Sequence, residues 1–305
     1  RFGRTGATQV GSAITGEMIG RDRELNDLVS RFTNGQRFVT LTGPGGMGKT
    51  RLAQEAGRHY LNQQGLAGGG WFVDLAGCVS GVDILHKVAD TLEIPLQEST
   101  ELSRTAMRLG RAMTHRGQFL LVLDNFEQIV SFAEDTVGTW LTVAPDVFFL
   151  VTSRQSLGVD GEVVVDVPPL STEDAVALFV ERAKAVKPSF LVREEHREIL
   201  SDIVDRLDRI PLAIRLAAGR SRLMSVKQIQ HRLKDRFKLL RRGPGLSRDR
   251  QATMEAAIDW SWNLLSDVER HVLQQCAVFR SGFTPEAAEA VIELMGDNTG
   301  LTVQE

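Results

Sequence analysis

Short apolar runs rich in β-branched residues alternate with stretches of helical spacing from about residue 17 to Leu170. The strand-like runs are Phe38–Thr42, Trp71–Leu75, Phe119–Leu123, Val147–Thr152 and Val163–Val167, and Arg51 to Leu61 carries apolar residues at helical intervals. Strands that are apolar throughout and separated by helices predict a parallel sheet covered on both faces. After Leu170 the pattern is helical only. Ser171-Thr172-Glu173-Asp174 has the form of a capping box heading an amphipathic helix that reaches about Lys184, and further helices are predicted at Glu195–Leu207, Pro211–Ser221 and Val226–Leu233. Gly243-Pro244-Gly245 then breaks the chain. Beyond the break Thr253–Leu264 reads as a helix, Ser266-Asp267-Val268-Glu269 is a second capping box, and Thr284-Pro285 sets a proline in the first turn of a third helix. Three short helices fit a winged-helix or helix-turn-helix bundle that ends before any wing hairpin, with Trp260, Trp262, Phe279 and Phe283 as its expected core. The organisation expected is a Gly-, Thr- and Ser-rich connector over 1–16, an α/β domain over 17–170, an all-α helical domain over 171–245 and an incomplete winged-helix-like domain over 246–305.

Directly after the first strand-like run stands Gly43-Pro44-Gly45-Gly46-Met47-Gly48-Lys49-Thr50, a complete phosphate-binding loop between a strand and a helix. Glycines let the backbone curl so that successive N–H groups face phosphate oxygens, and the helix opening near Gly48 adds the positive end of its dipole. Gly43, Gly45, Gly46 and Gly48 are therefore expected to line a nucleotide, with Lys49 on the β and γ phosphates, Thr50 offering its hydroxyl to Mg²⁺, and Arg51 completing the set. The fold class this specifies is a P-loop NTPase sheet.

A phosphate loop needs an acidic partner on another core strand to hold the metal. Phe119-Leu120-Leu121-Val122-Leu123 runs straight into Asp124, which places that carboxylate at the C-terminal edge of the sheet, where ligands collect in open α/β folds. Hydrolysis further needs a group that orients or deprotonates water. Asn125 stands beside Asp124 and is a poor base, and Glu127 is the nearest further carboxylate. Slow turnover, or occupancy without turnover, is the expectation. Another apolar strand ends in Thr152-Ser153-Arg154, and the planar fork of Arg154 suits a γ-phosphate sensor.

Composition restricts the setting. With 42% hydrophobic and 25% charged residues, no run long enough to span a bilayer and no signal-peptide core, the chain reads as a globular cytoplasmic protein without a membrane role. Arg1 in place of an initiator Met reads as the start of a fragment cut from a longer chain. Cys78 and Cys276 are far apart in sequence and the six histidines show no paired metal spacing, so neither a disulfide framework nor a zinc site is expected. Residues 197–250 hold 15 Lys/Arg against 6 Asp/Glu in a chain of net charge −3, a segregation that nucleic-acid binding or plain solvated helix faces can both produce.

Taken in order, Ile19-Gly20-Arg21, Gly43 to Thr50, Leu123-Asp124-Asn125-Phe126-Glu127, Thr152-Ser153-Arg154 and Ile210-Pro211-Leu212-Ala213 resemble the motif series of the signal-transduction ATPases with numerous domains (STAND), close to the NB-ARC and apoptotic ATPase group, and most of all the bacterial versions in large transcriptional regulators and in some regulators fused to kinases or cyclases. The resemblance covers about residues 17–293. It implies a sheet with the sensor strand between the P-loop and acidic strands, an ATP- or ADP-binding switch with Mg²⁺, and adenine held between Ile19, Gly20 and Arg21 on one side and Pro211 on the other. Partners implied are attached effector and sensor modules, and further copies of the chain in the ATP form. Two departures stand out: Arg209 occupies a position where the family often has Gly, and the family's diphosphate-touching His has no recognisable counterpart, His271 lying inside a helix-like run. A conventional P-loop ATPase or small-molecule kinase is the enzyme alternative, and DNA binding through the C-terminal helices is the other.

Overall fold

The computed structural model describes residues 18–96, 101–233, 262, 265–279 and 284–292. Helix α1 (Asp22–Thr33) leads into strand β1 (Phe38–Thr42), and α2 (Lys49–Gln64), β2 (Gly70–Asp74), α3 (Gly81–Thr91), α4 (Leu102–Thr114) and β3 (Phe119–Asp124) follow. After two short turns and a π-helical stretch at Glu134–Gly138 come α5 (Thr139–Val143), β4 (Val147–Thr152) and β5 (Val163–Asp166). The five strands are all parallel in the order β2-β3-β4-β1-β5. Strand β4, which ends in Thr152, thus lies between β1, which leads into the glycine loop, and β3, which ends in Asp124.

Burial explains why the strands were legible. Every residue of β1, β3 and β4 is buried, because helices cover both faces. On one face Leu121, Leu123, Phe149 and Val151 pack with Ile84, Leu109, Met113 and Trp140 from α3, α4 and α5. On the other, Val39, Leu41, Val122 and Leu150 pack with Leu28 and Phe32 of α1 and Leu52 and Tyr60 of α2. Strand β5 alternates half-buried and exposed residues, as an edge strand should. Burying a fully covered side chain such as Trp140 contributes about 3 kcal/mol on transfer grounds alone.

Beyond Leu170 the described chain is helical: α6 (Thr172–Val186), α7 (Glu194–Arg206), α8 (Pro211–Gly219) and α9 (Val226–Arg232) share a core built on Leu178, Phe179, Leu200, Ile203, Ile214 and Ile229. Ile210 packs against both this core and the α1/α2 side of the sheet, joining the two. At the head of α6 only half of the expected capping box forms. Ser171 accepts from the Asp174 N–H, but the Asp174 carboxylate turns to the Ser171 hydroxyl instead of reaching the backbone. The box at Ser266 and Glu269 is complete and opens α10 (Asp267–Cys276), and Pro285 begins α11 (Pro285–Glu289).

The predicted helix Thr253–Leu264, apart from Trp262, lies outside the described residues, as do the connector over 1–16, the Gly243-Pro244-Gly245 break, Trp260 and Phe283. Trp262 and Phe279 are half-buried, less enclosed than expected for core anchors, and His271 does lie within a helix. Among the described residues no helix is long and apolar enough to cross a membrane.

Candidate functional site

The glycine loop is held in shape from both sides. Gly46 and Gly48 have φ of 87° and 90°, in the left-handed region that glycine enters without penalty. At Gly46 space is tight as well, because an added Cβ would lie 3.0 Å from the Leu212 Cβ, closer than side chains ordinarily pack. Gly48 is the N-cap of α2 and no side chain caps that end, so the first-turn amides are not taken by a capping group. Lys49 Nζ donates to the carbonyls of Gly43 at 2.6 Å and Pro44 at 3.1 Å, folding back over the loop. Burial lowers the Lys49 pKa, Arg154 adds to that, and Glu127 and Asp124 oppose it.

Asp124 is the buried acid of the site, with 3% of its surface exposed. Its Oδ1 accepts from Thr152 Oγ1 at 2.6 Å and Thr50 Oγ1 at 2.8 Å, and its Oδ2 accepts from Thr50 Oγ1 and Asn125 Nδ2, both at 3.0 Å. Burial pushes its pKa up to about 6, the threonine hydroxyls pull it down, and Asp74 and Glu127 push it further up. A carboxylate and a hydroxyl side by side are the hard oxygen donors that a magnesium ion takes, and a buried carboxylate in need of a counter-charge fits one. Among the described residues no group of three or more His, Cys, Asp or Glu side chains is placed to hold a metal unaided.

Glu127 sits in the turn Phe126–Gln128 and faces Arg154, with Oε1 to Nε 3.4 Å; Glu127 is 9% and Arg154 21% exposed. The structure therefore brings Lys49, Thr50, Asp124, Glu127 and Arg154 to one edge of the sheet. Other predicted residues stand apart from that group. Arg51 is surrounded by Arg182, Glu55, Glu181 and Arg58, and burial lowers its pKa. Arg21 is buried, and its guanidinium donates to Glu24 and the Pro168 carbonyl at 2.6 Å each, and to the Met47 carbonyl at 3.5 Å. It acts as a strut under the loop. Gly20 has φ of 68° against Asp174, while Ile19 and Ile210 pack against the helical core and Pro211 is the half-buried first residue of α8. Gly43 also has a positive φ, and Gly45 does not.

Three features escaped the sequence. Asp74 ends β2 opposite Asp124 in register, and the apolar run leading into it repeats the pattern at Asp124, which was the available signal. Asn125 adopts φ 65°, ψ 51°, and Asp208 and Arg209 have φ of 53° and 52°. The turn into Pro211 places a left-handed residue at 209, where the resemblance led to the expectation of Gly, and here Arg209 bears the strain while donating to Thr172 Oγ1 at 3.5 Å within the helical part.

The profile of the AAA ATPase domain family matches residues 17–213. The chain belongs to that family. The match spans the sheet, the glycine loop and the helical part as far as α8. Over 274 residues the AAA ATPase chain is 36% identical to an uncharacterized protein, Rv0894, of Mycobacterium tuberculosis, covering 90% of this chain and 68% of the relative. It is 37% identical over 256 residues to a candidate HTH-type transcriptional regulator, Rv0890c, of the same organism, spanning 84% of this chain but only 28% of that protein. Among solved structures it superposes on the Aeropyrum pernix ORC1 protein in complex with DNA, with TM-score 0.54 and 16% identity over 92% of this chain and 78% of the other. It also superposes on Cdc6p of Pyrobaculum aerophilum, with TM-score 0.50 and 18% identity over 70% and 64%. At such identities the likeness is one of fold.

Proposed function

We propose that this AAA ATPase chain is the ATP- and ADP-binding switch module of a larger regulator, of the STAND type, with slow hydrolysis. The observation that carries the reading is the contrast at the sheet edge between a complete binding set and a restrained hydrolytic one. The loop amides at the head of α2, Lys49, Thr50 and Asp124 supply contacts for a polyphosphate and Mg²⁺. Thr50 and Asp124 would hold the metal, which when bound neutralises phosphate charge. Against this, Glu127 is engaged with Arg154, and Asn125 cannot act as a base. Arg154 would read the γ phosphate through its guanidinium. Ile19, Ile210 and Pro211 offer apolar walls for adenine.

The switch element is the junction of α8 with the loop. The Leu212 N–H donates to the Gly46 carbonyl at 3.2 Å, so anything that reshapes the loop bears on the helical part. A nucleotide shifts domain arrangement only by its differential affinity for two states. The regulatory setting is supported by the likeness to the transcriptional regulator, within which a chain of this length is a minor portion. Partners in this reading are attached effector and sensor modules and, in the ATP form, further copies of the chain.

The test is to identify the nucleotide that copurifies with the chain and to measure its turnover. Bound ADP with fewer than about one turnover per minute supports the switch, since ordinary enzymes run at roughly 1–1000 per second. Rapid multiple turnover by the isolated chain would contradict it.

A further inference from the structure

We infer that Asp74 is a positioning residue for Asp124, acting through the carboxamide of Asn125. This inference rests on the nucleotide reading above. Strands β2 and β3 run parallel with Asp74 opposite Asp124, so two carboxylates end adjacent strands at the same level. Asn125 lies between them: its Nδ2 donates to Asp74 Oδ1 at 2.9 Å and to Asp124 Oδ2 at 3.0 Å. A carboxamide nitrogen has two hydrogens, and both are spent. Ionised carboxylates only accept, so no other orientation of the amide satisfies both neighbours, and the amide flip is determined by chemistry. The carbonyl oxygen of Asn125 is left as the one polar end not directed at a carboxylate.

The same geometry explains why Asn stands here. A carboxylate at 125 would insert a third negative charge between Asp74 and Asp124, and Asn also tolerates the left-handed backbone of this residue. The Asn125 N–H donates to Thr152 Oγ1 at 3.1 Å, and Thr152 donates to Asp124, closing a loop of hydrogen bonds. Asp74 is itself fixed, its Oδ1 accepting from the Ala76 N–H at 3.0 Å. Thr50 is one of the two groups assigned to the metal, so the lasting supports of the Asp124 carboxylate are Thr152 from β4 and Asn125 from the β2 side. Asp74 keeps that second support in place.

The experiment measures ATP affinity of the full chain by calorimetry, once with Mg²⁺ and once with EDTA, for wild type, Asp74→Ala and Asp74→Asn. Removing an outer-shell support costs roughly 10–100-fold in metal affinity. Asp74→Ala is expected to keep its affinity in EDTA and to lose at least about tenfold of the magnesium-dependent gain. Asp74→Asn still presents an oxygen to Asn125 and is expected to recover most of that gain. Equal gains in Asp74→Ala and wild type, equal losses with and without Mg²⁺, or failure of Asp74→Asn to recover would each overturn the inference while leaving nucleotide binding intact. Absence of ATP binding in the wild type would instead sink the nucleotide reading, and this inference with it.

Discussion

The Leu212 amide reaches across from the first turn of α8 to the Gly46 carbonyl at 3.2 Å, and a Cβ added at 46 would lie only 3.0 Å from the Leu212 Cβ. One contact thus ties the helical part to the middle of the phosphate loop. Gly46→Ala is expected to lower the stability of the nucleotide-free chain by about 2–3 kcal/mol, combining left-handed strain with that tight contact. Gly48→Ala carries the strain alone, because an added Cβ there meets nothing within 4 Å, and should cost about 1–2 kcal/mol. Urea unfolding of the two variants checks the difference, and equal losses would show that the α8 contact is immaterial.

Arg209 marks a place where stability can be gained. Glycine accepts its φ of 52° without penalty, while among the described residues the Arg209 side chain makes a long contact to Thr172 and a 3.9 Å approach to Asp205. Arg209→Gly should therefore stabilise the chain by about 1 kcal/mol, after allowance for glycine's extra freedom in the unfolded state. A lowered urea midpoint would refute this account of the turn.

Asp124 gives a pH dependence of definite sign. Its pKa rises from 3.8 unfolded to about 6 folded, so between those values the native state holds the extra proton. The stability it contributes is full below about pH 4 and is lost as pH climbs through about 6. Without metal or nucleotide, Asp124→Asn should gain on the wild type by roughly 2–3 kcal/mol between pH 4 and pH 7.5, from 1.36 kcal/mol per unit. Parallel pH profiles for the two proteins would count against a buried, charge-starved carboxylate.

Arg154 and Glu127 are expected to separate sensing from turnover. Arg154→Ala should bring the ratio of ATP to ADP affinity toward one, with a loss of about 1.5–3 kcal/mol confined to ATP, the magnitude of a charge-assisted hydrogen bond. Glu127→Gln should leave both affinities within about twofold and lower the slow turnover by roughly a hundredfold, as loss of general base action does. Competition binding and single-turnover assays distinguish the pair.

Much of this was legible in the chain itself. Phe119 to Leu123 and Val147 to Thr152 could be read as strands because burial on both faces demands unbroken apolar runs, and the glycine loop because phosphate chemistry dictates its spacing. Boundaries slipped by a residue or two: β2 ends at Asp74, not Leu75, and α2 begins at Lys49, ahead of the predicted Arg51. What stayed hidden depends on contacts distant in sequence. The role of Arg21 turns on the Pro168 carbonyl, 147 residues away, and that of Asp74 on Asn125, 51 residues away, which only the strand register reveals.

The most direct test of the account is a calorimetric titration of Mg-ADP into the chain and into Lys49→Ala. The account predicts a saturable one-to-one isotherm for the wild type and a loss of at least about 2 kcal/mol in the variant, the cost of removing a charged partner from phosphate. A wild type that takes up no Mg-ADP, or a Lys49→Ala variant that binds equally well, would contradict it.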